Sequence, residues 1–216
     1  MYTGFFRFCR LGFLVFSGAF ILSGCASTDG WFQKKEEDGN APYFLEQQPR
    51  TCVNTVGIKG RFSVYYKKND REEGVHGSFE WEQKPDLTSI TLLTPLGQVA
   101  ASVDVMPQLT TFTIPGKQPK TAPDAESLLK SQLGWDLPVN GMKQWLQGCA
   151  VDIKGNSFIA TPEKKSVITK EKWQIDYVSW IDGPTMPLPK RINIAKGKDS
   201  TNLDINIKLV VDEWRF

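Results

Sequence analysis

The sequence predicts a mainly β fold, an antiparallel sheet of roughly ten or eleven strands that curls into a barrel or sandwich with two short helices across one mouth or face. Three observations predict it. From Val56 onward apolar and polar residues alternate with a period of two, the pattern of half-buried strands. Pro, Gly, Asn and charged turn residues interrupt that alternation at short intervals. Only the middle of the chain changes to helical spacing, in two short windows.

The amino-terminal segment stands apart from that fold. Arg7 and Arg10 precede "LGFLVFSGAFIL", a stretch of the length of a signal-peptide core and too short for a stable span, so residues 1–24 read as a secretory leader. Directly behind stands "LSGC", Leu22 to Cys25, which resembles the lipobox of bacterial lipoproteins in position, small residues and cysteine. That resemblance implies cleavage before Cys25, a thioether-linked diacylglycerol on its sulfur and a third acyl chain on its new amino terminus. One chain binds a membrane only marginally, whereas two or more hold it stably. Ala26 follows, where the lipoprotein sorting rule reserves aspartate for inner-membrane retention. The implied address is therefore the periplasmic face of the outer membrane of a diderm bacterium.

Residues 25–42 then supply the lipidated cysteine and a polar, charged tether, and residues 43–216 form a single globular domain. With 40% hydrophobic and 12% aromatic residues, a chain of 216 can build one well-packed core. Arg7 and Arg10 leave with the leader, so 24 of the 26 basic residues remain to face 24 acidic ones. A neutral mature chain offers no electrostatic case for nucleic acid. Cys9 leaves too, so Cys52 and Cys149 are the thiols left besides Cys25. An oxidising periplasm allows them to pair, and two free thiols are the alternative.

A short helix is expected over 43–55, interrupted by Pro49. In "GRFSVYYKK" Phe62, Val64 and Tyr66 share one strand face, and in "GSFEWEQ" Phe79 and Trp81 lie opposite Ser78, Glu80 and Glu82. Strands follow at "SITLLT", "QVAASVDV", "LTTFTIP", "NSFIATP", "SVITK", "EKWQIDYVSW", "PKRINIAK" and "LDINIKLVVDEW". The first helix, "PDAESLLKSQLG", starts at Pro123 and Asp124, gathers Ala125, Leu128, Leu129 and Leu133 on one face and is closed by Gly134. The second, "NGMKQWLQG", begins at a capping Asn140, brings Met142, Trp145 and Leu146 together and stops at Gly148. Between two apolar runs, Thr94-Pro95-Leu96-Gly97 suits a type I turn that throws a bare leucine outward.

Catalytic equipment is sparse. His76 is the one histidine, on a polar strand face beside Gly74 and Gly77, so a histidine-based triad or metal site has almost nothing to draw on. No nucleophile elbow, zinc-protease helix, paired-cysteine motif or phosphate-cradling glycine loop occurs. Glu72 and Glu73 sit among Lys67, Lys68 and Arg71, a solvated hairpin end rather than a pair of glycosidase carboxylates. A non-enzymatic protein with no metal and no cofactor is expected.

The residues resemble a known family, the outer-membrane lipoprotein receptor LolB. The likeness runs through "GRF" (60–62), "FEW" (79–81), "LLTPLGQ" (92–98), "DAESLL" (124–129), "GWDLPVNGMKQWLQG" (134–148), "WQIDY" (173–177), Leu188-Pro189 and the closing "DEW". Cys149-Ala150 departs from it, since the family usually has Leu-Pro there, and this leaves the exit from the second helix open. The resemblance implies an open, unclosed antiparallel barrel with the helices as a lid. Its apolar hollow would receive acylated lipoproteins from the soluble periplasmic carrier LolA and deliver them to outer-membrane lipid. Large residues on the apolar faces are the cavity candidates: Phe62, Val64, Phe79, Trp81, Ile90, Leu92, Val103, Phe112, Leu128, Leu129 and Trp145. In the resembled family the leucine of the Pro95-Leu96-Gly97 loop serves membrane delivery, and that role carries to Leu96; folding back onto a neighbouring strand is the alternative. A monomer suffices for all of this. A second reading is an envelope lipoprotein that binds cell-wall glycan on its seven tryptophans or scaffolds an envelope complex.

Overall fold

A computed structural model describes residues 51–68, 71–184, 186–197 and 203–216. The leader, Cys25, the tether and residues 43–50 lie outside the described residues. The expected helix over 43–55 finds no support in its described part: residues 51–55 hold no helix, and Val56 already pairs with Gln83 in the sheet.

In chain order the strands are β1 (Val56–Lys68), β2 (Arg71–Lys84), β3 (Leu87–Leu93), β4 (Val99–Met106), β5 (Leu109–Thr113) and β6 (Lys120–Ala122). Helices α1 (Ala125–Leu133) and α2 (Val139–Trp145) follow. Then come β7 (Cys149–Val151), β8 (Ser157–Ile159), β9 (Ser166–Ile168), β10 (Gln174–Ile181), β11 (Leu188–Gly197) and β12 (Leu203–Arg215). Ten of these form one antiparallel sheet in the order β6-β5-β4-β3-β2-β1-β12-β11-β10-β9. The pairing of β1 with β12 joins a meander from each half of the chain, while β6 and β9 remain as separate edges. The barrel is therefore open.

The strand inventory differs from the sequence reading at the short elements. β6 and β7 were not anticipated, because neither "KTA" nor "CAV" alternates polar with apolar residues. "NSFIATP" contributes β8 to a separate pair with β7 rather than to the large sheet. Cys149 thus resolves the exit from α2 by entering a strand directly.

One face of the large sheet carries the core. Ile58, Val64, Phe79, Trp81, Ile90, Val103, Phe112, Ile175, Ile192, Ile194 and Ile207 are all buried, and their strand neighbours alternate toward solvent. Register slips between Lys59 and Gly60 on β1, and again within β10 and β11, bend the strands as bulges do. Two glycines admit large rings. Gly60 faces Phe79 and Gly77 faces Phe62 across the β1–β2 ladder. A Cβ on Gly60 would stand 2.3 Å from the Val210 carbonyl oxygen and 2.8 Å from the Phe79 ring.

α1 follows its sequence signals. The Asp124 carboxylate accepts from the Ser127 amide at 2.9 Å, and Gly134 closes the helix with φ 83. α2 does not begin at a capping Asn140: it starts at Val139, with Pro138 in the cap position and no side-chain cap. Proline has no side-chain oxygen with which to accept from the first-turn amides. The Asn140 amide is instead taken by the Glu126 carboxylate of α1. After α2, Cys149 is joined to Cys52 in a disulfide with Cα atoms 6.3 Å apart. Gln147, buried beside it, accepts from the Val53 amide at 2.9 Å and donates to the Val53 carbonyl at 3.0 Å. The strand leading into β1 is thereby fastened to the helical segment.

Candidate functional site

The hairpin between β3 and β4 presents the most exposed large apolar side chain among the described residues. Pro95 takes the second position of the turn, the Gly97 amide donates to the Thr94 carbonyl at 2.8 Å, and the Thr94 amide donates to the Gln98 carbonyl at 2.8 Å. Gly97, with φ 79, adopts the left-handed conformation that follows a type I turn in short hairpin loops. Leu96 at the tip is 88% exposed, so it does not fold back on the sheet.

From the base of this turn the inner sheet face runs under the helices. Between β1, β2, β3 and β12 on one side and residues 135–142 on the other lies an apolar hollow. Phe62, Val64, Phe79, Trp81, Ile90 and Leu92 line it, joined by Trp135, Leu137, Met142, Ile207 and Leu209. Among the described residues no charged side chain lines it. Its free volume is only about 30 Å³, the share of one water molecule in the liquid. That space is too small for an acyl chain, which can enter only if part of the wall moves.

The remaining candidates lie elsewhere. Val103, Phe112, Leu128, Leu129 and Trp145 do not line the hollow. α1 rests on β5 and β6, and Val103, Phe112, Leu128 and Leu129 are packed as core there. Trp145 packs at a tilt against Trp173 with ring centroids 6.2 Å apart, and its carbonyl accepts from the buried Tyr177 hydroxyl at 3.0 Å. Of the lining residues that were missed, Ile207 and Leu209 were legible in the alternation of "LDINIKLVV". Trp135 and Leu137 occupy an irregular link between the helices, where no periodicity marks which way a side chain points.

Two further depressions frame the hollow. A cleft of about 300 Å³ opens beside it, walled by Phe62, Tyr66, Val75, Leu92, Thr94, Pro95, Gln132, Leu133 and Trp135. A wider depression, about 650 Å³, lies around Arg61, Ser63, His76, Arg191, Asn193 and Lys208, with Phe62, Val178 and Leu209 also in its wall. It is open and its wall is only about half apolar, so it offers an acyl chain little burial. The ion pairs are exposed as well. Arg61 binds Asp212 at 2.8 Å, and its hydrogen bond and charge hold that carboxyl below the usual range. Such pairs contribute little stability. His76 is exposed on β2, and no cluster of metal-ligating side chains forms among the described residues. Every tryptophan among the described residues is buried or half-buried, which leaves none as an open stacking platform for a sugar.

Comparison with known proteins places these features. A family model described as outer membrane lipoprotein LolB matches residues 55–214. The outer-membrane lipoprotein LolB of Cupriavidus pinatubonensis is 33% identical over 211 residues, covering 94% of each chain. Its namesake in Pseudomonas syringae pv. syringae is 26% identical over 203 residues, again covering 94% of each. Among solved structures, a LolA superfamily protein from Nitrosomonas europaea matches with a TM-score of 0.43 and 9% identity over 74% of this chain and 86% of that one, too distant a likeness to argue from.

Proposed function

The chain belongs to the family of outer membrane lipoprotein LolB, and from that membership we propose a non-enzymatic receptor, anchored through acylated Cys25 on the periplasmic face of the outer membrane. It accepts acylated lipoproteins from the periplasmic carrier LolA and inserts them into the outer membrane as a monomer. The observation that carries this reading is the pairing of an apolar hollow under the helices with a hairpin that holds Leu96 88% exposed.

The physical demand is severe. Each buried methylene is worth about 0.8 kcal/mol, so a multiply acylated protein cannot cross water at a useful rate. Cargo must pass from one apolar cavity to another and then to lipid. The hollow serves the first step. Leu96 serves the second, because sinking one leucine into lipid gains about 1.5–3 kcal/mol, enough to dock reversibly but not to anchor.

The test is transfer. Labelled lipoprotein should pass from a LolA-type carrier to this protein and on to liposomes. Replacing Cys25 by Ala should leave a soluble chain that still takes cargo from the carrier, because the hollow lies in the folded body and the anchor sets only location. A soluble chain that takes none would overturn the cavity reading.

A further inference from the structure

We propose that the cleft beside the Leu96 turn is the port through which an acyl chain enters and leaves the hollow, and that Trp135, braced by Tyr66, is the partition that closes it. This rests on the receptor reading above and specifies its route. The narrow hollow and the cleft share Phe62, Leu92 and Trp135 as lining residues. A single layer of side chain therefore separates a space of about 30 Å³ from one of about 300 Å³.

Of the three shared residues only Trp135 sits on backbone outside a strand ladder. Phe62 and Leu92 belong to β1 and β3 and are held in paired ladders on both sides. Trp135 lies in the irregular link between α1 and α2, bounded by Gly134 with φ 83 and by Pro138. Links of this kind absorb the dihedral changes of a hinge. Displacing its indole would merge the two spaces into one apolar channel from Trp81 to Pro95.

Specific contacts hold the partition shut. The Tyr66 ring stands 6.3 Å from Trp135, and its hydroxyl donates to Glu73 at 2.8 Å, which fixes the ring on the β1–β2 hairpin. Asp136 is tied back to Lys130 of α1 at 3.0 Å. These are modest, exposed contacts that incoming methylenes can displace. The port also explains why the exposed leucine sits where it does. Pro95 forms part of the cleft wall, so a chain that leaves through the cleft emerges beside Leu96 and meets lipid without crossing open water.

The experiment uses the whole chain with Cys25→Ala and, as probes, long-chain fatty acids brominated near the carboxylate or near the methyl end. Bromine quenches tryptophan on contact. With the methyl end deepest, head-proximal bromine should quench a component of emission that is lost in Trp135→Phe, and methyl-end bromine should not. Stopped-flow mixing should give roughly tenfold faster entry and exit for Trp135→Ala, and a smaller acceleration for Tyr66→Phe, which keeps the ring but loses the Glu73 bond. Because Trp135 is buried, Tyr66→Phe and the quenching pattern carry the test if Trp135→Ala fails to fold. A wild-type chain that binds no fatty acid sinks the receptor reading and the port with it. A wild-type chain that binds, with rates in Tyr66→Phe unchanged and no Trp135-dependent quenching by head-proximal bromine, sinks the port alone.

Discussion

Leu96 is held at the tip of a turn by the Thr94 and Gln98 hydrogen bonds, and 88% of its surface faces solvent. Leu96→Glu should therefore leave the fold intact, with a stability change within about 0.5 kcal/mol, as for other exposed sites. Its effect should fall on delivery. A carboxylate costs a few kcal/mol at full bilayer depth and less near the interface, by the same insertion scales that favour leucine there. Uptake from the carrier should be normal while cargo stalls on the protein and reaches liposomes slowly. Transfer at the wild-type rate would remove the insertion role. The sequence made this residue legible because a turn fixes its geometry locally: Pro95 and Gly97 leave the side chain between them nowhere to go but out. Trp135 was illegible for the opposite reason, since nothing within a few residues of it determines that it lines both the hollow and the cleft.

Among the elements, the β1–β2 ladder depends on two glycines set opposite two phenylalanines. In Gly60→Ala the new methyl would meet the Val210 carbonyl oxygen at 2.3 Å, which is backbone and cannot turn aside. Such overpacking costs about 1–3 kcal/mol, and it should also push Phe79 into the hollow and weaken acyl binding. Gly74→Ala on the neighbouring strand β2 is the control, because its nearest neighbour is the Tyr65 side chain at 3.4 Å. Thermal unfolding that treats both variants alike would remove this account. The start of α1 should depend on pH. Its capping Asp124 is held below the usual carboxylate range chiefly by its hydrogen bonds to Ser127. A depressed folded pKa means that the cap stabilises fully above the unfolded aspartate pKa and is lost as pH falls through the folded one. The Tm gap between wild type and Asp124→Ala should accordingly be open at neutral pH and close in acid; a gap independent of pH would dismiss the charged cap. At this scale the long strands and α1 were legible, because period and caps are local. The start of α2 was not, because Glu126 of the preceding helix supplies the partner that Asn140 was expected to provide.

For the whole molecule, the decisive link is the disulfide between Cys52 and Cys149, which are 97 residues apart. It fastens the segment entering β1 to the exit of α2, so the helical roof of the hollow is tied at that end to the sheet below it. The chain-entropy model gives a loop of about a hundred residues up to about 4.7 kcal/mol. Cys52→Ser with Cys149→Ser should lower Tm markedly, and reduction of the wild type should lower it to the same value. Equal melting of oxidised and reduced protein, or two free thiols in the denatured unreduced chain, would eliminate the bridge.

By itself the sequence determined the class of fold, the polarity of each strand face, the first helix and the exposed leucine, because periods of two and of three to four, caps and turn residues act over a few positions. It also carried enough of the family's pattern to point to lipoprotein receptors before any coordinates. Tertiary structure decided what depends on residues far apart in the chain. β1 meets β12 to leave the barrel open at β6 and β9. Six of eleven candidate side chains line the hollow, while Val103, Phe112, Leu128, Leu129 and Trp145 disappear into plain core. An apolar face looks the same in sequence whether it meets a neighbour or an empty space, and only the packing of helices on the sheet separates the two.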